Sequence, residues 1–110
     1  FTGDNESCDG DRISGWDCDP AGKALKSTTA DWTTHSTNKG DNSSDFTALP
    51  GGYRNTNGVF YNLKDRAHFW SSSEDTSTDT VWRRRLDYSE PTVRRKSSDK
   101  AYGFSIRCVQ

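Results

Sequence analysis

Apolar and polar residues alternate most clearly in the stretch "VWRRRLDYS", which begins at Val81. Residues two apart in an extended strand share a face, so Trp82, Leu86 and Tyr88 lie together on one side. The other side carries only polar residues from position 83 to position 89. The pattern predicts a strand whose aromatic face packs in the core. Its polar face is either solvated surface or the place where the protein meets a ligand.

Further short apolar runs separated by polar loops predict a meander of strands over residues 46–109. The Asn57-Gly58 pair marks a hairpin turn, because this turn needs positive φ angles. Upstream, the Asp19-Pro20 pair suits the start of a short helix in "DPAGKALKS". Residues 28–45 are rich in Ser, Thr, Asn and Asp and predict a long surface connection.

The chain has 110 residues, which suits one domain. Leu, Ile, Val and Phe number only 15, but 13 residues are aromatic and the net charge is −1. Large rings bury much area and a weak net charge does not oppose collapse, so we expect a single β-rich domain over residues 1–110. Basic groups outnumber acidic ones by eleven to seven in residues 51–110. This excess is too mild to indicate a nucleic-acid-binding arm.

Three cysteines leave two interpretations open. Cys8 and Cys18 flank a short polar stretch and suit a disulfide, which small exported domains with little core often use. Cys108 then needs a partner elsewhere. In the alternative, all three are reduced and buried thiols. The acidic loop around the first two cysteines fits only half of a calcium-binding loop, since Trp16 stands where a bidentate Glu belongs. We expect no cofactor and no metal site, with structural calcium in this loop as the alternative.

Catalytic motifs are missing from the sequence. His35 and His68 do not stand at zinc-ligand spacing with the cysteines, and there is no phosphate-binding glycine loop or nucleophile elbow. We therefore expect that the protein is not an enzyme. The arginines at 83–85 and 94–95 stand near aromatic residues that the strand pattern assigns to the core, so we expect no nucleic-acid binding. No apolar run suits a membrane span, and no membrane insertion is expected.

Four motifs resemble the hallmark run of a known family: "FTALPGGYR", "FWSSSE", "VWRRRL" and "YGFSIRCV". The family is the Fibrobacter succinogenes major domain, which is found in exported bacterial proteins, and "GKALKS" at 22–27 also matches it. The resemblance covers residues 46–109. It implies an α+β, C-type-lectin-like fold of short antiparallel strands with long irregular loops. It also implies an extracellular location, on a bacterial cell surface or a phage virion.

The chain departs from the family pattern in its first part. The usual upstream segment, with a first helix and a "GWRLPT"-like motif, is not matched here. Cys108 is therefore expected either to lack its usual partner or to find it on a separate N-terminal piece of the same protein. The calcium-dependent sugar site of C-type lectins is not matched either, because Thr92 follows Glu90 and Pro91 and no "WND" triplet occurs. The expected partner is a protein or glycan ligand on another cell or particle.

A narrower resemblance is to the variable proteins of diversity-generating retroelements, which substitute residues at the adenines of a template. Residues 70–109 are the candidate variable region. Asparagine codons in such templates never yield Lys, Glu, Gln, Met or Trp, so Glu90 and Lys96 are either fixed positions or positions where the template differs. The implied ligand-binding residues all belong to the reachable set: Asp75, Thr76, Ser77, Thr78, Asp79, Thr80, Arg83, Arg85, Asp87, Ser89, Arg94, Ser97, Ser98, Asp99 and Tyr102. The implied structural core comprises Trp70, Trp82, Leu86, Tyr88, Phe104 and Cys108.

The sequence thus predicts a non-catalytic ligand-binding domain of the adhesin or receptor-recognition type, whose outward face at 75–102 is diversified by a retroelement. The alternative is a non-diversified structural or interaction module of an exported bacterial lipoprotein. In that alternative the polar face is ordinary solvated surface.

Overall fold

The structure, a computed structural model, describes residues 15–74 and 79–108. In chain order the elements are β1 (Gly15–Asp17), α1 (Ala21–Leu25), β2 (Tyr53–Arg54), β3 (Phe60–Tyr61), β4 (Arg66–Glu74), β5 (Thr80–Asp87) and β6 (Val93–Asp99). The strands β1, β6, β5 and β4 form a four-stranded antiparallel sheet in that order, and β2 pairs with β3 in a separate antiparallel sheet. The first part of the chain therefore joins the last strand at one edge of the larger sheet.

The predicted α+β, C-type-lectin-like fold class is wrong. The described residues form two antiparallel sheets and one helix of five residues, so the fold is mostly β. Helix α1 ends where Lys26 adopts an extended backbone, and residues 28–45 lack the apolar spacing that would bury a helical face. Within the meander predicted over residues 46–109, the strand in "VWRRRLDYS" is confirmed as β5, and β4 and β6 flank it. In its described part, the last predicted segment, "YGFSIRCV", forms only isolated bridges at Gly103 and Ser105.

The hydrophobic core lies on one face of the four-stranded sheet and joins it to α1 and to the long connection. Within the connection, the indole Nε1 of Trp32 donates a 3.0 Å hydrogen bond to the carbonyl of Ala48. Leu25, Phe46, Phe69 and Tyr88 pack against the buried cluster. The cluster itself consists of Cys18, Ala21, Trp32, Ala48, Ala67, Leu86 and Val93.

The residues predicted for the core of β5 lie on the core face. Leu86 is buried in the cluster and Tyr88, just after the strand, packs against it. Trp82 is half-buried, and the guanidinium of Arg95 on the neighbouring strand covers its ring at 3.7 Å from the centroid. Arg95 thus completes the packing at this edge of the core with a cation–π contact.

Three other residues predicted for the same core do not lie in it: Trp70, Phe104 and Cys108. Trp70 faces the other side of the sheet, where its ring packs 4.3 Å from that of Phe104. Cys108 carries an exposed free thiol, so its assignment to the core is wrong. The chain reaches it along the surface, since Ile106 is 72% exposed. Cys8 lies outside the described residues, and its predicted disulfide with Cys18 stays a prediction.

Lys26 anchors the turn between β5 and β6. Its side chain is fully buried, and its Nζ donates hydrogen bonds to the carbonyl oxygens of Asn38 at 2.7 Å, Asp87 at 2.7 Å and Glu90 at 3.0 Å. Burial lowers the pKa of Lys26 to about 8, although the nearby Asp87 and Glu90 carboxylates oppose that shift. The anchor sets where β5 ends, and with it the position of the polar face described next.

Candidate functional site

The sheet face opposite the core carries a concentration of positive charge. Alternate residues of the three long strands point the same way, and register places Arg83 opposite Lys96 and Arg85 opposite Arg94. Like charges directly opposite one another destabilise a sheet. This face therefore holds an arrangement that strand pairing by itself disfavours.

A cavity of about 220 Å³ lies over this face, and we refer to it as the cationic cavity. Three strands supply cations, and a loop and the small hairpin supply aromatic rings. Its lining comprises Tyr53, Arg66, His68, Arg83, Arg85, Arg94, Lys96, Ser98, Tyr102 and Phe104.

Aromatic rings wall the cavity and cover part of the sheet. Tyr53 and Phe104 flank the buried His68, with ring centroids 4.9 and 5.0 Å from the imidazole. Tyr102 stacks on Phe104 at 5.6 Å. Reciprocal backbone hydrogen bonds of 2.9 Å between Arg54 and Gly103 tie this loop to β2. The rings bury the arginines of β5 beneath them.

Arg83 is held in place by neutral partners. Its Nε donates to the Ser98 hydroxyl at 2.7 Å, and its Nη1 lies 3.1 Å from Nδ1 of His68. A guanidinium has no acceptor, so Nδ1 accepts this bond and the proton of neutral His68 sits on Nε2. Burial, reinforced by Arg83 and Arg85, lowers the pKa of His68 to about 3. Burial and the neighbouring Arg85 and Arg94 lower the pKa of Arg83 to about 10.

Asp87 balances only part of this charge. Its carboxylate accepts a 2.6 Å hydrogen bond from Arg85 and lies 3.9 Å from Nε of Arg66. The ring of Trp16, from β1, lies 5.1 Å from the Arg85 guanidinium and 6.0 Å from that of Arg94. Arg94 forms no ion pair with any other described residue. Its burial lowers its pKa, and the nearby positive charges of Arg85 and Arg66 lower it further.

The strands that build the cationic cavity lie within a match to a known family. The family model described as the Fibrobacter succinogenes major domain (Fib_succ_major) covers residues 3–110. The chain belongs to this family. Comparison with curated proteins and with solved structures gave no match.

Part of the predicted ligand-binding set of this Fib_succ_major domain converges on the cavity. Its lining includes Arg83, Arg85, Arg94, Ser98 and Tyr102. Asp87 adjoins it through its ion pair with Arg85. Other predicted residues are not part of the lining: Asp79, Thr80, Ser89, Ser97 and Asp99. Residues 75–78, which complete the predicted set, lie outside the described residues.

The expectation of an outward, exposed face is wrong for the β5 part of this Fib_succ_major domain. Arg83, Arg85 and Asp87 are only 7%, 8% and 8% exposed. The physical reason is cover from distant parts of the chain: the guanidinium of Arg83 lies 5.5 Å from the Phe104 ring centroid, and that of Arg85 lies 5.1 Å from the Trp16 ring centroid. The β5 part of the polar face is thus buried, whereas Lys96 on β6 is exposed.

Four lining residues were missed by the sequence prediction: Tyr53, Arg66, His68 and Lys96. One signal was available in β4, since Arg66 and His68 alternate with the apolar Ala67 and Phe69 and so share a face. Lys96 was set aside as a fixed position, although it pairs directly with Arg83. No local signal linked Tyr53 to this face.

Residues 15–74 and 79–108 contain neither a cluster of metal-ligating side chains nor a helix suited to span a membrane. No group of three His, Cys, Asp or Glu side chains there stands close enough to hold a metal ion. In the same part of the Fib_succ_major domain, no helix has the length and apolar character needed to cross a bilayer.

Proposed function

We propose that this Fib_succ_major chain is a non-catalytic ligand-binding domain that uses the cationic cavity for recognition. The proposal rests on one observation: five residues that the sequence predicted to bind a ligand line the same cavity. They come from β5, β6 and the loop after β6, and they are spread over residues 83–102. Binding sites placed on a rigid scaffold with variable connecting loops are the common arrangement for recognition proteins.

The composition of the cavity supports recognition. Arginine and tyrosine, which dominate binding energy at many interfaces, both line it. Backbone hydrogen bonds of the antiparallel sheet hold these side chains in a fixed order. We propose that the domain acts outside the cell, on a bacterial surface or a phage particle, and that it binds a protein or glycan ligand without a cofactor.

We further propose that residues 75–102 are diversified by a retroelement. Exposed positions such as Asp79 and Asp99 can change at little cost to folding, because surface substitutions are usually near neutral. Changes at the buried Arg83 and Arg85 alter the cavity itself. Variation of both kinds would give related chains different ligands on the same sheet.

A genomic experiment tests diversification. The DNA around this gene should contain a near-copy of the codons for residues 70–109 that differs only at adenines, next to a reverse-transcriptase gene. Absence of such a copy in the complete flanking sequence would overturn the diversification part of the proposal. That result would not bear on ligand binding, which the binding experiment tests separately.

Binding is tested with immobilised glycan and peptide libraries. We expect the purified chain to retain at least one library member, and Arg94→Gln to reduce retention. Lys39→Gln is the matched control, because Lys39 is an exposed cation that is not part of the cavity lining. Equal retention by wild type and Arg94→Gln would show that the ligand does not bind in the cationic cavity.

A second candidate function is an interaction module that docks onto another part of a larger protein. The specific observation is a set of exposed apolar side chains near the small hairpin, with Phe60, Leu63 and Leu49 exposed by 74%, 71% and 54%. A variant with Phe60→Ser and Leu63→Ser separates the two candidates. Loss of library binding in this variant, with Arg94→Gln unaffected, would favour the docking module over cavity recognition.

A further inference from the structure

The cationic cavity holds more positive charge than the protein neutralises. Five cations line it, while the two ion pairs found among the described residues both use the single carboxylate of Asp87. The side chains of Arg85 and Asp87 in the closer of these pairs are 10% and 11% exposed. Of the cations outside these two pairs, Arg83 is buried, and a buried charge is normally paired.

Within the described part of the chain, Arg83 and the Nε of Arg85 have no acidic partner in the cavity. Arg83 is fixed by Ser98 and by neutral His68, neither of which neutralises it. Arg85 is 8% exposed, and its Nε is a buried donor without a hydrogen-bond partner among the described residues. An unpartnered buried donor has an energetic cost that an acceptor in the cavity would offset.

The positive charges that line the cavity disfavour one another. Burial, followed by the neighbouring cations, lowers the pKa of Arg83, Arg94 and Lys96 together. All three shifts mean that the protonated forms repel one another or lack solvent. An anion placed between them would favour the charged forms and relieve the repulsion across the Arg83–Lys96 pair.

Extending the ligand-binding proposal, we infer that the cationic cavity binds a single oxyanion group, a carboxylate or a phosphate, carried on a small molecule or at the end of a chain. Arg94 and the exposed Lys96 supply positive charge, and Arg83, held in place by Ser98 and His68, offers its remaining N–H groups to an oxyanion. The Ser98 and Tyr102 hydroxyls add neutral hydrogen bonds. A volume of about 220 Å³ admits one such group with a ring-sized carrier against Tyr102 and Phe104.

The test is isothermal titration of the 110-residue chain at constant ionic strength. The probes are sodium glucuronate, inorganic phosphate and glucose, the last being the neutral match to glucuronate. We expect saturable binding of at least one anion and no binding of glucose. Glucuronate binding alone identifies a carboxylate carrier, and phosphate binding alone identifies a phosphate carrier. Failure of both anions to bind would overturn the inference.

Site variants distinguish the cavity from general attraction to a charged surface. Arg94→Gln and Lys96→Gln should each weaken anion binding about tenfold, which corresponds to the loss of one charge-assisted hydrogen bond. Lys39→Gln should leave the affinity unchanged. Lys96 is exposed, so its replacement keeps the test informative if Arg94→Gln fails to fold. Equal weakening by all three variants would place the anion outside the cavity and overturn the inference.

The same measurements separate this inference from the ligand-binding proposal on which it rests. If a neutral library ligand binds and Arg94→Gln weakens it while neither anion binds, the proposed function stands and the oxyanion inference fails. If no library member is retained while an anion titrates into the cavity, the oxyanion inference stands and the proposed macromolecular ligand fails.

Discussion

Arg83 donates a hydrogen bond of 3.1 Å to Nδ1 of His68 and thereby decides the protonation state of the histidine. The pair spans β5 and β4 beneath the aromatic wall, where both residues are buried. A proton on His68 would place a second positive charge against the guanidinium. The neutral imidazole is thus part of what allows a buried arginine to remain charged at the floor of the cationic cavity.

This relationship predicts a loss of stability in acid. The pKa of His68 falls from 6.5 to about 3 on folding. Below pH 6.5 the unfolded chain binds a proton that the folded chain refuses, so the free energy of unfolding decreases as the pH falls toward 3. The slope from this group approaches about 1.4 kcal/mol per pH unit. Urea unfolding of wild type and His68→Asn between pH 7.5 and 4.5 measures it.

His68→Asn keeps a hydrogen-bond acceptor for Arg83 and removes the titration. At pH 7.5, folded His68 is neutral, so the difference in free energy of unfolding between the two proteins gives the cost of changing the side chain. That difference should shrink or reverse by pH 4.5. A difference that stays constant across this pH range would contradict the assignment of a neutral, buried His68.

The ion pair between Arg85 and Asp87 predicts coupled effects on stability. Removing one partner of a buried pair leaves an uncompensated charge, so Arg85→Met should cost about 3–5 kcal/mol. The double variant Arg85→Met, Asp87→Leu should lose less than the sum of the two single variants, by about 1–3 kcal/mol. Chemical unfolding of the four proteins measures the coupling, and additive losses would mean that the pair is not formed.

We expect the buried amine of Lys26 to contribute strongly to the free energy of unfolding. Lys26→Met keeps the aliphatic chain but leaves buried carbonyl oxygens of the β5–β6 turn without their donor, which costs about 1–3 kcal/mol for an unsatisfied group. Lys23→Met, on the same helix, is the control. We expect urea unfolding to show the larger loss for Lys26→Met. Similar losses for the two variants would contradict the anchoring role.

At Gly22 in helix α1, we expect replacement by alanine to lower stability, whereas helix propensity alone would raise it. In an ordinary helix, alanine in place of glycine stabilises by about 1 kcal/mol. A Cβ at Gly22 would lie 2.8 Å from the carbonyl oxygen of Pro91 and would also overlap that of Thr92, so Gly22→Ala should destabilise by about 1–3 kcal/mol. Gly51→Ala is the control, since its nearest neighbour would be 3.6 Å away. Thermal unfolding compares the two, and a more stable Gly22→Ala would contradict this packing.

The sequence pattern was sufficient for the strands and for one face of the sheet. Leu86 and Tyr88 were placed on the core side by parity alone, because alternation in a strand is a local property. The same alternation correctly placed Arg83 and Arg85 on the sheet face opposite the core. It could not reveal that this second face is covered, since the cover includes Tyr53, thirty residues before Arg83.

The fold class and part of the site depended on long-range information. The family resemblance identified the family but led to the wrong expectation of an α+β fold. Lys26 stood in a motif that matched the family, yet its burial depends on carbonyl groups sixty-one residues away and has no local pattern. The surface position of Cys108 likewise follows from the path of the chain after the last strand, which apolar neighbours alone do not predict.

The anchor at Lys26 has a consequence for how readily this region accepts new sequence. Nζ binds the main-chain carbonyls of Asp87 and Glu90, and the amide of Asn38 donates to the carbonyl of Ser89. Every amino acid contributes the same carbonyl, so these tethers do not depend on which side chains follow β5. Side chains in this turn can therefore change while its main-chain attachment to the rest of the domain is kept, which gives the segment beside the cationic cavity a tolerance to substitution.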